Sequence, residues 1–426
     1  MEEPGAPAFT GIMAPSLRGT ALRLAVSSAR RVPASVRFPL QRDGVQPVAG
    51  LEASRDRGDV VQLARLLGTR FWLVTGYDVA RTVLADSDGF ANDVRHLIGR
   101  QDRAPAERIG GLGMTDPPDH DRLRHVLTPY FTRRRLADLQ PDVDRVVAEA
   151  LDDMAAHGPV VDLVERFGFA VPFGVICDLL GMPALDRAEF RRHGAARFDL
   201  RDAGGRIFDT AAGTRRLLID LVATERRTPY LPAGLLSRMV AEHGRDLDDV
   251  ELGGLADGIF LGGYETSASM LSLGTWLLLQ HPASWEALRR GERAEVDRVV
   301  EELLRFVCPV QVAFPRIARR DVRVGDHTVR AGDVVVVSLT AAGRDPARHV
   351  DPSHFDPTAA SAGTLAFGHG LHRCVGAELA RMELRTALVA LSRRFPDLAL
   401  ACEPDDLRFT ELAIVHGVES LPVRLG

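Results

Sequence analysis

The sequence predicts a mainly α-helical protein with a small β-rich lobe, folded as a single domain. Three observations carry that expectation. Apolar residues recur at three- and four-residue intervals through most of the middle and C-terminal parts of the chain, the period of an amphipathic helix. Short runs rich in Val, Phe and Trp, bounded by Gly or Asp, occur once early and again late, which is how strands read. Across 426 residues there is neither an internal repeat nor a low-complexity stretch to act as a linker, so one helical body with a minor sheet is the simplest arrangement. Residues 1–45 read as an N-terminal lead-in and 46–426 as the domain itself.

The elements follow in order. Residues 16–38 are Arg-rich and free of acid, a composition shared with transit peptides and membrane-surface helices but read here as a solvated helix and lead-in. Residues 70–76 read as a strand, and 77–84 continue at helical spacing. Amphipathic helices are expected over 122–180 and 188–227, separated by short polar breaks. The Gly- and Arg-rich stretches 92–113 and 200–206 read as surface connections, where binding functions often sit. Residues 248–280, ended by His281-Pro282, carry apolar side chains on nearly every face, so this helix belongs in the core. Another helix spans 292–307 and stops at Pro309. A hairpin is expected from 322–324, a turn at Gly325-Asp326, and 334–337; residues 377–395 are helical again.

Composition excludes some functions. A net charge of −5 and a pI near 6.2 argue against a general affinity for nucleic acid, which needs a strongly basic face. The cationic side chains are all Arg, with no Lys, and no binding site is read from that. Cys177, Cys308, Cys374 and Cys402 are widely spaced, without CxxC pairs, so a disulfide scaffold or zinc module is not expected and a reducing cytoplasm fits best. Glu2 and Glu3 stand where a signal peptide would be basic, and no apolar run reaches the roughly 18 residues of a membrane span.

The chemistry concentrates in Phe367-Gly368-His369-Gly370-Leu371-His372-Arg373-Cys374-Val375-Gly376, which leads into the last helix. An arbitrary lone Cys is usually a small buried hydrophobe. Here the cysteine sits just before a helix start, where partial positive charge and free N–H groups favour a thiolate. Glycines let the backbone approach a flat macrocycle, N–H bonds to sulfur would tune an iron, and Phe367 can shield the sulfur from water. The string resembles the heme-binding loop of the cytochrome P-450 family at every spacing of Phe, Gly, His, Cys and Gly, and the resemblance runs from Trp72 to the C-terminus. It implies the cytochrome P-450 fold, heme b as cofactor, Cys374 as the iron ligand, and Phe367 and Gly376 as heme contacts. The other three cysteines have no such surroundings and are assigned to packing.

Three further elements match the same family. Glu302 and Arg305 are three apart among Val299, Val300, Phe306 and Val307, so an ordinary surface pair gives way to a buried one that needs further hydrogen bonds. The resemblance implies a third polar partner from a Pro-x-Arg-Phe segment; Pro352-Ser353-His354-Phe355 stands there, with His354 in the Arg role. Gly262-Gly263-Tyr264-Glu265-Thr266 lies mid-helix, where each Gly costs about 1 kcal/mol relative to Ala. Close helix packing is one reason for such glycines. The other is a polar groove opened by Thr266 bonding back to the Gly262 carbonyl, and the resemblance makes Glu265 and Thr266 the acid–alcohol pair that manages protons. His120 and Arg124 share one helix face, and with Arg316 and His372 they occupy positions where relatives contact the heme propionates. Thr364 stands where relatives often carry His, and Gly343 where they often carry Asn.

The reaction implied is reductive activation of dioxygen and insertion of one oxygen atom into an apolar or amphipathic organic substrate, as in secondary metabolism. No flavin or iron–sulfur segment is fused, so electrons from NAD(P)H are expected through a separate ferredoxin and ferredoxin reductase, docking over Arg373 with Arg122 and Arg133-Arg134-Arg135 as contributors. Oxidative coupling, desaturation or peroxide-driven oxidation on the same heme stays open, as does a heme-free homologue acting as a recruitment or ligand-binding module. By resemblance the substrate pocket is lined from 90–112, 190–208, Leu255, Ile259, Gly263, 310–314 and Ile414-Val415, mostly apolar.

Overall fold

The computed structural model describes residues 37–66, 68–94, 111–182, 205–229, 231, 233–359 and 363–426. Most of the expected N-terminal helix (16–36), the 95–110 part of the first surface connection and the 183–204 stretch lie outside the described residues. The last residues of the expected lead-in pack on the core. Val45 is buried in the main core, and the Arg42 guanidinium donates to the Cys308 carbonyl at 2.7 Å and to Gln311 Oε1 at 3.2 Å.

The early strand has a partner. β1 (Val60–Leu66) and β2 (Thr69–Val74) pair antiparallel, and α1 (Tyr77–Ala85) follows at once, then β3 (Phe90–Ala91). α2 (Asp119–Leu127) carries Asp119 and Asp121 in its first turn and Arg124 and His125 in its last, charges that complement the helix dipole. The region expected to be helical to 180 is interrupted: α3 (Gln140–Ala156) gives way to β4 (Val160–Asp162), a π-helical turn at Val164–Gly168, and α4 (Ala170–Leu180). Gly158, at φ +103°, breaks the helical run, and β-branched Val160 and Val161 follow it.

α5 (Gly205–Arg227) packs along α6 (Asp249–Leu278). α6 is the expected core helix. A capping box closes its first turn, the Glu251 N–H donating to Asp248 Oδ1 at 2.8 Å and the Asp248 N–H to Glu251 Oε2 at 3.2 Å. α7 (Arg293–Phe306) follows, then β5 (Arg316–Ala318), β6 (Val322–Val324), β7 (His327–Val329) and β8 (Val334–Val337). The hairpin partner of β6 is β7 and not 334–337, because the two-residue turn at Gly325-Asp326 leads straight into it. β8 instead runs parallel to β2 and antiparallel to β5, completing a five-stranded sheet in the order β1-β2-β8-β5-β3. Its four consecutive Val residues suit a strand covered on both faces. α8 (Ala377–Arg394) is the last long helix, and β9 (Ala399–Leu400) and β10 (Pro422–Arg424) form a second sheet with β4.

The Glu302–Arg305 pair ties these layers together. Arg305 donates to Glu302 Oε2 from Nε at 2.7 Å and to Oε1 from Nη2 at 2.6 Å, with both side chains buried. Its remaining N–H groups go to the carbonyls of Gly343 at 2.9 Å, Pro352 at 3.0 Å and His354 at 3.1 Å. Glu302 Oε1 also accepts the Asp356 N–H at 2.9 Å. The role expected of the His354 side chain is therefore not filled by it: the ring is exposed and bonds Asp351 Oδ1 at 2.7 Å, and backbone groups complete the pair. Carbonyls satisfy a buried guanidinium without burying another titratable group.

Arg305→Met leaves Glu302 buried without its cation and is expected to cost about 3–5 kcal/mol, more than the double variant Arg305→Met/Glu302→Leu. Urea unfolding followed by far-UV circular dichroism measures both; equal losses would remove the pair from its structural role.

Candidate active site

α6 is buried along nearly its whole length, and the less-covered residues in its middle are Gly258, Leu261, Gly262, Gly263, Glu265 and Thr266. Gly258, Leu261, Gly262, Glu265 and Thr266, spaced by three, one, three and one, lie on a single helix face. The two adjacent glycines have different causes. A Cβ on Gly263 would lie 2.6 Å from Ile176 Cδ1, so this glycine gives room to the end of the Ile176 side chain. A Cβ on Gly262 would meet nothing within 4 Å, so packing does not account for that one. The Thr266 hydroxyl donates to the Gly262 carbonyl at 2.6 Å, the back-bond expected of a polar groove in an apolar helix. Glu265 is half-buried on the same face.

The Cys374 loop is shaped by backbone. Gly368 and Gly370 sit at φ +68° and +72°, which side-chain-bearing residues rarely adopt, and a Cβ on Gly370 would lie 2.7 Å from the Ala85 Cα, so the loop packs on the end of α1. The Cys374 N–H donates to the Phe367 carbonyl at 2.9 Å, closing the loop immediately before α8. The cysteine is exposed, whereas Cys177 and Cys308 are buried. Protein crowds around the accessible thiol and pushes its pKa up, opposed by the Gly376 N–H and the charges of Arg124, Arg373 and Arg381. The helix-start stabilisation expected from sequence is present in the Gly376 N–H, and a bound metal would add to it.

A cluster of cations and imidazoles forms beside the loop. The rings of His120 and His372 lie 4.4 Å apart. His120 is fully buried with Nδ1 on Asp121 Oδ1 at 3.1 Å. Burial, then Arg316 and His120, hold the His372 pKa down to about 4. Arg316 is buried, donates to the Phe314 carbonyl at 2.8 Å, and is lowered to about 10 by burial against the pull of Asp116. Arg124 is lowered by burial while the field of Cys374 raises it, which puts it near the sulfur. Among the described residues, His120 Nε2 and His372 Nδ1 are buried without a partner. Unpartnered imidazole nitrogens with two guanidinium groups are the donor set that a pair of carboxylates requires, so the residues fit heme. Thr364 Oγ1 accepts the Ala366 N–H at 3.0 Å, a local cap.

Of the expected pocket, residues 310–314 and 413–415 come together: Val310 bridges Val415, and the Gln311 amide donates to the Ala413 carbonyl at 2.8 Å. Phe314 is exposed, its ring against Gly113. Leu255 and Ile259 are packed in the core. Residues 190–204 and 95–110 lie outside the described residues. Arg122, expected to contribute to a partner surface, hydrogen-bonds Glu251 of α6. Sequence reasoning missed Glu383. It is buried on α8 and hydrogen-bonds Ser267, the neighbour of Thr266, and burial raises its pKa to about 8 against that bond. Its signal was a carboxylate on the apolar face of α8, between Met382 and Leu384.

Comparison with known proteins places this arrangement. The family model described as Cytochrome P450 matches residues 218–406. The chain is 37% identical to Cytochrome P450 FAS1 of Rhodococcoides fascians over 91% of its own length and 98% of the relative's. It is 35% identical to the 6-deoxyerythronolide B hydroxylase of Saccharopolyspora erythraea, over 85% and 92%. It superposes with a TM-score of 0.81 at 34% identity on OxyC, a cytochrome P450 implicated in an oxidative C–C coupling reaction during vancomycin biosynthesis, covering 92% of this chain and 97% of that one.

Because the folded state holds a proton on Glu383 up to about pH 8, it binds more protons than the unfolded chain above the ordinary carboxylate range. That contribution to stability is complete below the unfolded pKa and is lost as pH rises through the folded value. Glu383→Gln should therefore gain on the parent protein as pH rises from about 5 to 9, by on the order of a few kcal/mol. Melting temperatures across that range read it; a difference that does not change with pH would clear Glu383 of the effect.

Proposed function

We propose, starting from the fact that the chain belongs to the cytochrome P450 family of heme-thiolate monooxygenases, that it takes electrons from NAD(P)H through a separate ferredoxin and ferredoxin reductase and inserts one atom of dioxygen into an apolar or amphipathic organic substrate of secondary metabolism. The observation that carries this reading is the strip Gly262, Glu265 and Thr266, the less-covered face of a helix otherwise inside the core. Bound heme supplies the reductive activation of dioxygen, with electron donation from the thiolate favouring O–O cleavage.

The protein's own residues do the rest. Cys374 provides the sulfur ligand, with Phe367 and Gly376 beside it. His120, Arg124, Arg316 and His372 would hold the two propionates by charge-assisted hydrogen bonds. Glu265 exchanges protons with water, and Thr266 Oγ1, which can both donate and accept, passes them on. Proton supply has to be local, because the side chains that flank this strip on α6 are buried.

An acidic ferredoxin is steered to Arg373, which is exposed, and to the exposed Arg133, Arg134 and Arg135 on a short helix packed against α8. Arg122, already paired with Glu251, adds less. A cytoplasmic setting keeps the four free cysteines reduced. No helix among the described residues is long and apolar enough to cross a membrane.

Oxidative coupling without oxygen insertion is the second reading, favoured by the likeness to OxyC. Isotopically labelled dioxygen separates the two, since only insertion leaves the label in the product.

Two outcomes test the proposal. The reduced, carbon monoxide-bound protein should show the strongly red-shifted absorption band of a thiolate heme; a spectrum like that of His-ligated heme in intact protein rules out Cys374. Thr266→Ala should keep fold and heme but divert electrons to hydrogen peroxide, lowering product formed per NAD(P)H consumed by on the order of a hundredfold, the lower end of what one proton-transfer group contributes. An unchanged ratio in both Thr266→Ala and Glu265→Gln would show that the substrate, not this pair, organises the protons.

A further inference from the structure

The hydrogen bond from the Cys374 N–H to the Phe367 carbonyl puts Phe367 across the loop from the cysteine, but nothing in that bond fixes the Phe367 ring. The ring is held from α8. The guanidinium carbon of Arg381 lies 4.7 Å from the Phe367 ring centroid, within the range of a cation–π contact.

The guanidinium is fixed in turn. Nε and Nη2 donate to Glu301 Oε1 at 2.5 Å and Oε2 at 3.1 Å, a two-pronged pair from α7, and Nη1 donates to Glu378 Oε1 at 3.1 Å. The Arg381 side chain is 15% exposed, against 35% for Glu301 and 37% for Glu378. The carboxylates therefore lose more of their field to solvent than the cation does. A planar fork gripped in this way sets the plane of the guanidinium, and hence the ring that stacks on it.

We propose that Arg381 is a positioning residue for the sulfur ligand: carried on the Glu301 fork, it holds the Phe367 ring beside Cys374 and keeps a positive charge near the sulfur, making the heme easier to reduce. The inference rests on Cys374 being the iron ligand. Reduction of a thiolate-ligated ferric heme, neutral at its iron, ring and sulfur, would leave one net negative charge there, and a nearby cation stabilises that charge. A plain inter-helix ion pair between α7 and α8 would affect stability and leave this equilibrium alone.

The test is a reductive titration of the heme-loaded protein with dithionite and redox mediators, comparing the parent with Arg381→Met, Arg381→Lys and Glu301→Gln. Arg381→Met should shift the one-electron equilibrium toward the oxidised form by threefold to tenfold, tenfold being about 59 mV. Arg381→Lys keeps the charge but loses the fork, and should fall between Met and the parent. Glu301→Gln loosens the fork and should shift the same way by less. Parent potentials in both Arg381→Met and Glu301→Gln, with only thermal stability reduced, would overturn the proposal. If Arg381→Met does not retain heme, an unmoved potential in Glu301→Gln overturns it alone. Failure of the underlying reading looks different: the parent protein itself would lack the thiolate band with carbon monoxide, and the inference about Arg381 would fall with it.

Discussion

A core helix that must stay apolar on nearly every face and yet carry a polar groove is the constraint on which the rest of the structure depends. α6 meets it by restricting its open side to one strip, from Gly258 to Thr266, while its other faces pack against α4, α5 and α8. The two glycines divide the work. Gly263 lets Ile176 of α4 come close, and Gly262 leaves the space into which the Thr266–Gly262 back-bond opens. A polar residue on any other face of this helix needs a partner inside the protein. Ser272 bonds the Ala268 carbonyl at 2.8 Å, and Asp257 takes the Thr214 hydroxyl from α5 at 2.9 Å.

The second requirement is to hold irregular chain rigidly around that helix, and α7 meets it with adjacent carboxylates. Glu302, paired with Arg305, anchors the 343–356 segment through backbone groups, and Glu301 reaches α8 through Arg381. Backbone carbonyls suit the first job because they fill guanidinium donors without adding charge to the interior. The second job sits at the surface edge, where carboxylates keep part of their hydration. Neighbouring positions on one helix thus fix two loops by different means, according to how deeply each is buried.

Much of this was legible in the sequence where the signal is local. The Cys374 string, the apolar period of α6 and α8 and the Glu302–Arg305 spacing each lie within a few residues, and the structure places them as expected: Cys374 before a helix, α6 in the core, the pair buried. What failed depended on partners far along the chain. β8 was read as the second arm of a hairpin, but its partners are β2, some 260 residues earlier, and β5. His354 was read as a side-chain ligand, and only the folded path shows its carbonyl turned to Arg305 and its ring to Asp351. Glu383 went unnoticed because nothing in its neighbourhood says that Ser267 will lie opposite.

The sequence by itself determined the fold class and, through its resemblance to the cytochrome P450 family, marked out the candidate sulfur and groove residues, since helical period, glycine placement and a cysteine before a helix start are encoded by near neighbours. Only the tertiary structure decided which glycine of the pair is there for packing, which groups satisfy Arg305, and which cation stacks on Phe367. Those outcomes depend on how helices and loops distant in sequence come together, because burial, and with it the cost of an unpaired charge, is a property of the assembled fold.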